Sequence, residues 1–155
     1  MDFANLDLKS ASEIGAWVHL TKDGQELYEA GGVITTDESE SPCRIKIRGV
    51  ASKGVLDNIR AIERTEMAFN ARLTRAKDRE IDGLVAVKQT ALTSIICDLI
   101  AAAVAEWENI IWDGEDIDCT RENVLKICGP ETYFFMQVYG EIMERHRLFK
   151  DAASG

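Results

Sequence analysis

The hydrophobic period of the chain changes at Gly49, and that change limits what the sequence can fold into. Before it, Cys43-Arg-Ile-Lys-Ile-Arg48 alternates apolar and basic residues. This is the two-residue period of a half-buried strand, with Cys43, Ile45 and Ile47 facing a core and Arg44, Lys46 and Arg48 facing water or a partner. After it, Ser52 can cap a helix start, and Val55, Ile59, Ile62, Phe69 and Leu73 recur at spacings of threes, fours and sevens. One stripe of that helix is apolar and the opposite side charged.

Upstream, residues 1–50 read as a β-rich cap. Ala16-Trp-Val-His-Leu20 favours a strand, Asp23-Gly24 is the dipeptide of tight hairpin turns, and Glu26-Leu-Tyr28 can return. Gly31-Gly32, Val33-Ile-Thr-Thr and the acidic loop Asp37 to Pro42 follow. Downstream, Asp82-Gly83 marks a break or a new helix start. Leu84, Val87, Ala91, Ile95, Leu99 and Ile100 then lead through Val104 to Trp107 on a broad apolar face, which predicts the most buried helix. That helix is expected to end in Trp107-Glu-Asn-Ile-Ile-Trp112 and turn at Asp113-Gly114. A cap at Thr120 opens a helix over Arg121 to Cys128, and Pro130 opens another over Glu131 to Phe149. Residues 150–155 are expected to fray. The fold class is therefore α+β: a small N-terminal antiparallel sheet or hairpin, then a mainly helical C-terminal two-thirds, in one domain spanning 1–155 with its helical part at 51–149.

A chain of 155 residues with 46% hydrophobic and 29% charged residues can bury a core without a metal or disulfide staple. Cys43, Cys97, Cys119 and Cys128 show no Cys-x-x-Cys spacing and read as reduced thiols. The start, Met1-Asp-Phe-Ala-Asn-Leu-Asp, lacks the basic and apolar regions of a signal peptide, so secretion is not expected. The longest apolar run, Ile95 to Ala105, is broken by Asp98 and is about half of the roughly 20 residues a membrane helix needs; no membrane is expected. The formal charge of −9 is uneven: −7 over residues 1–43, +6 over 44–79 and −8 over 80–155. The basic block reads as a solvated face that pairs with the chain's own acids, because a pI of 4.7 repels phosphate backbones; no nucleic acid is expected.

Catalytic patterns are not apparent. Neither histidine, His19 or His146, stands in a nucleophile motif, and Cys119, Cys128 and His146 lack the paired spacing of a zinc site. Asp113, Glu115, Asp116 and Asp118 place carboxylates as a calcium loop would, but Gly114 is in the wrong position, and a polar turn before the Thr120 cap accounts for them. Phosphate-binding glycine motifs are missing. The reading is of a non-enzyme without cofactor or metal. What stands out is apolar surface: Tyr133, Phe134, Phe135, Met136 and Tyr139 are too dense for one helix face, and Met67, Met136 and Met143 suit an adaptable interface.

The order of features resembles the tail assembly chaperones of tailed bacteriophages. Gly15-Ala-Trp-Val-His-Leu20, Asp23-Gly24 and Arg44-Ile-Lys-Ile-Arg-Gly49-Val-Ala-Ser52 precede an Arg-rich helix. Trp107-Glu-Asn-Ile, Asp113-Gly114, Thr120-Arg-Glu-Asn123, Tyr133-Phe-Phe-Met-Gln137 and Glu144-Arg-His-Arg-Leu-Phe149 then follow in the family's order. Cys119 departs from the pattern, which has proline or another small residue there. The resemblance implies a non-enzymatic protein of the host cytoplasm that coats the tape measure protein while the tail tube assembles, with the tail tube protein as a possible second contact, and that is missing from the mature virion. Ile59, Ile62, Phe69, Trp107, Trp112, Tyr133, Phe134 and Met136 are the expected partner-binding residues. A homo-oligomer is expected because the apolar helices exceed what one small core needs. The alternative is a structural tail or tail-tip subunit that uses residues 43–49 as an exposed strand edge.

Overall fold

A computed structural model describes the backbone of residues 7–154 and the side chains of residues 7–147. Helix α1 (Leu8–Ile14) leads into strand β1 (Ala16–His19). Strands β2 (Thr21–Lys22) and β3 (Gln25–Glu26), then β4 (Tyr28–Ala30) and β5 (Val33–Thr35), form two hairpins. Strand β6 (Arg44–Ile47) precedes helices α2 (Lys53–Arg75) and α3 (Asp78–Ala103). Strand β7 (Val104–Glu108), the hairpin of β8 (Ile111–Trp112) and β9 (Glu115–Asp116), and helices α4 (Arg121–Cys128) and α5 (Phe135–Ser154) complete the α+β fold.

The main sheet is antiparallel in the order β1-β6-β7, with Val18 opposite Ile45 and Ile45 opposite Trp107. Its third strand corrects the expectation of a helix running on to Trp107. The helix stops at Ala103, and Val104-Ala-Glu-Trp-Glu108 pairs with β6 across a bulge at Lys46/Ile47. On the solvent face, Arg44 Nε lies 2.6 Å from Glu108 and Lys46 Nζ 3.5 Å from Glu106, while both cations sit over the Trp17 ring. Alternating acids in β7 thus meet alternating bases in β6. Strand β6 is central, so it is not the free edge on which strand addition by a structural subunit would depend.

Arg48 terminates α3: its backbone N–H donates to Ala103 O at 2.7 Å and its Nη1 to Ala102 O at 2.7 Å, satisfying carbonyls left open at the helix end. The start of α2 is fixed twice. Ser52 Oγ accepts from Val55 N, and Glu13 Oε1 of α1 accepts from Lys53 N at 2.9 Å. Helix α1 lies within what was read as the β cap. It is opened by Asp7, whose carboxylate accepts from Lys9 N and Ser10 N, and its own carbonyl at Ser12 accepts from Gly49 N at 2.8 Å. Gly15 has φ +87° with the Ile47 carbonyl oxygen 2.7 Å from where a Cβ would stand, so only glycine passes there.

Other boundaries also move. The break between the long helices falls at Ala76-Lys77, both extended, and α3 runs through Gly83 without interruption. Asp78 and Glu80 in its first turn suit the helix dipole better than a start at Asp82 would. Helix α5 begins at Phe135 rather than Glu131, because Thr132 sends both its N–H and its hydroxyl to Gly129 O, closing a turn. Its backbone stays helical to Ser154, through the stretch expected to fray, whereas the side chain of Phe149 lies outside the described residues. The α4 boundaries and the Thr120 cap fall where the sequence placed them.

The core lies between the inner face of the sheet and the helices. Ile45 and Ile47 meet Val55, Ile59 and Ile62 of α2, Leu99, Ile100 and Ala103 of α3, and Val124, Val138 and Ile142 of α4 and α5. Gln137 ties α5 to the sheet, accepting from Thr21 N at 3.2 Å and donating to His19 O and Thr21 Oγ1.

Candidate functional site

Helices α2 and α3 pack along one another as an antiparallel hairpin, but only their ends near the sheet are fully buried, with Leu92, Ile95 and Ile96 of α3 half-buried against the core. Beyond Ile62 on α2, and before Leu99 on α3, no residue is fully buried. The distal seam consists of half-buried Thr65, Phe69 and Leu73 against Leu84, Lys88 and Ala91, with Lys88 Nζ donating to Asn70 Oδ1 at 3.0 Å. This corrects the expectation that the second long helix is the most buried element. From Gly83 to Cys97 its only charged residue is Lys88, yet Val87 is 54% exposed and Ile81 and Val85 also face solvent, as does Met67 on α2 at 73%. By length and composition α3 is apolar enough to cross a membrane: its most apolar 18-residue window has a mean hydropathy of 1.6, and 11% of that window is buried. Counting only the apolar run Ile95 to Ala105 missed this, because Thr90, Thr93 and Ser94 precede it without adding charge.

A second apolar surface lies at the other end of the fold. The turns at Asp23-Gly24, Gly31-Gly32 and Asp113-Gly114 all have two consecutive residues at positive φ, the geometry that closes two-residue hairpins. The last of them holds Trp112 beside α4 and the 129–134 turns. Trp112, Lys126, Ile127, Thr132, Tyr133 and Phe134 line a groove of about 330 Å³, with Trp112 44% and Tyr133 60% exposed. Tyr133 meets Phe134 edge-on at 5.1 Å, and Lys126 Nζ lies 5.0 Å from the centre of the Trp112 ring. Behind Ile127 and Phe134 is a smaller apolar cavity of about 60 Å³, also lined by Leu20, Leu27 and Ile34.

The eight residues expected to bind a partner therefore separate. Trp112, Tyr133 and Phe134 come together in the groove; Met136 is 70% exposed but does not line it. Phe69 lies in the distal hairpin, its ring 5.1 Å from the Arg72 guanidinium. Ile59 and Ile62 are core residues and offer no surface, which corrects their assignment. Trp107 is half-buried, with its indole N–H donating to Ile117 O at 2.8 Å, and supports the Trp112 turn from inside. Val85, Val87 and Ile81 were missed as surface because a helical period identifies an apolar face but not whether another element covers it.

Charge is arranged unevenly. Arg44 and Lys46 of the basic block are neutralised within the sheet; the Arg44 guanidinium holds the Glu108 carboxyl below its ordinary range. Asp113, next to Trp112 in the chain, Glu115, opposite Trp112 across the hairpin, Glu122, one helical turn before Lys126, and Glu131, next to Thr132, have no ion pair among the described residues. All four cysteines are free, and burial pushes the Cys43 thiol to about 11 and Cys128 to about 12, leaving both protonated and poor nucleophiles at neutral pH. His19 is held by Leu27 O at 2.7 Å and Glu26 at 2.9 Å; His146 has Glu63 at 3.5 Å and a buried Nδ1 without a partner among the described residues. Among the described residues no three His, Cys, Asp or Glu side chains converge as a metal site would require. Comparison with family models, curated proteins and solved structures finds no match.

Proposed function

We propose that the chain is a non-enzymatic tail assembly chaperone of a tailed bacteriophage, acting in the host cytoplasm. In this reading it covers apolar stripes on helical segments of the tape measure protein until tail tube subunits replace it, and it leaves before the particle is finished. The observation that carries this reading is α3, a helix nearly free of charge over Gly83 to Cys97 and mostly exposed. A helix apolar on most sides is stable in water only when covered, and a partner helix laid along the hairpin would cover it. Many such contacts, each of modest area, would shield a long chain and still release it. Insertion of the hairpin in a bilayer is disfavoured, because α2 would carry Arg60, Glu63, Arg64, Glu66, Arg72 and Arg75 into hydrocarbon. Several copies acting side by side fit the expectation of a homo-oligomer.

Co-expression with a tape measure fragment tests the reading. The fragment should become soluble with this chain, and lose that solubility when Val85 and Val87 are both replaced by lysine. Unchanged solubility with and without the chain overturns it. The chain should also be missing from purified particles by mass spectrometry; a stoichiometric amount there would indicate a structural subunit instead.

A further inference from the structure

We propose that the groove between Trp112, α4 and the 129–134 turns takes one helical segment of a partner polypeptide whose apolar face is flanked by lysine and arginine. The inference deepens the chaperone reading and rests on it only for the partner being a tape measure segment. The groove is lined by half-buried Ile127 and Phe134 and by the exposed Trp112 and Tyr133 rings. Its positions are fixed by the tight Asp113-Gly114 turn and by the Tyr133–Phe134 contact, so little order is lost when a Leu, Met or Phe anchor enters.

The rim selects by charge. In the sheet, Glu106 and Glu108 are answered by Lys46 and Arg44. Beside the groove, Asp113, Glu115, Glu122 and Glu131 have no such answer among the described residues, and the Lys126 ammonium rests over the Trp112 ring. Four carboxylates beside an apolar groove attract an apolar helix with basic flanks and repel one with acidic flanks or a phosphate backbone. An extended peptide has little to pair with, because β8 and β9 are two residues each. A second copy of this chain is a poorer occupant: its basic turn over residues 72–79 brings charge, but its apolar Leu73 and Ala76 are half-buried in the hairpin.

The test titrates the full-length chain with two synthetic amphipathic helical peptides that share one leucine face, flanked by lysine in one and glutamate in the other, followed by calorimetry and tryptophan emission. The lysine peptide should bind at least roughly tenfold tighter at low salt, the advantage shrinking as salt rises, since several rim charges each add a modest increment. Trp112→Phe should remove the emission change. Combined Glu115→Lys, Glu122→Lys and Glu131→Lys, all at exposed positions and checked for an unchanged thermal midpoint, should reverse the preference. Equal binding of the two peptides, or a lysine preference that survives the reversal, overturns the inference. So does self-association in sedimentation that Trp112→Ala abolishes, because the groove would then hold a second copy. If the charge-reversed chain still solubilises the tape measure fragment while the Val85/Val87 variant does not, the groove inference fails alone. If the peptides behave as expected but the fragment stays insoluble, the chaperone reading fails alone.

Discussion

At its foot, the α2–α3 hairpin buries Val55, Ile59 and Ile62 with Leu99, Ile100 and Ala103; toward its turn, the same two helices leave Phe69, Leu73 and Leu84 half-buried and Met67, Val85 and Val87 in water. The apolar residues continue at helical spacing throughout, so local preference is satisfied in both halves. What differs is the third layer. Near the foot, β6 and helices α4 and α5 complete a core, whereas farther out two helices have only each other, and a pair cannot bury more than one stripe of each. Apolar residues in the foot therefore determine stability, and those in the outer half are left for something else.

The contrast makes predictions that can break it. Leu99→Ala should cost about 2–5 kcal/mol in chemical denaturation, as a fully buried leucine does, while Val85→Ala should cost less than about 1 kcal/mol because little transfer from water is undone. Equal losses would mean the outer half is covered in solution. Ser52→Ala, at the buried cap of α2, should cost about 1 kcal/mol. Alkaline pH probes the foot again. The Cys128 thiol is raised by burial from 9.0 to about 12, so its contribution to stability is intact below pH 9.0 and lost as pH rises toward 12. Cys128→Ala should flatten that decline in denaturation midpoints. Glu108→Gln removes a half-exposed partner of Arg44 and should cost roughly 0.2–1 kcal/mol, less in high salt. Val87→Lys should change stability least, within about 0.5 kcal/mol, as at other exposed positions; a large loss would place that residue in a contact between copies.

The α+β class, β6, the cap and start of α2, and the whole of α4 were legible because each is written in adjacent residues. Strand β7 was not, because it continues an apolar helical pattern directly and its identity depends on Glu106 and Glu108 finding Lys46 and Arg44 some sixty residues away. Asp113-Gly114 carried the same hairpin signal as Asp23-Gly24, but with Trp107 to Trp112 assigned to a helix there was no strand for it to close. At the candidate site, Tyr133 and Phe134 stood out in the sequence as part of a dense aromatic run and Trp112 as one of a pair of tryptophans bracketing a turn. Ile59 and Ile62 were misplaced for the reason Val85 and Val87 were overlooked: periodicity cannot report which part of a long helix has neighbours.

Strands β6 and β7 are adjacent, so residues 48–103 form an excursion that leaves the sheet and comes back about one strand spacing away. Toward its turn, the two helices are joined to each other by the Lys88–Asn70 hydrogen bond. Inserting or deleting matched helical turns there would change the reach of the arm by about 5.4 Å at a time while the strand register, the Arg48 stop and the core remain as they are. The fold is thus a fixed base with an arm whose length can change without redesigning the base.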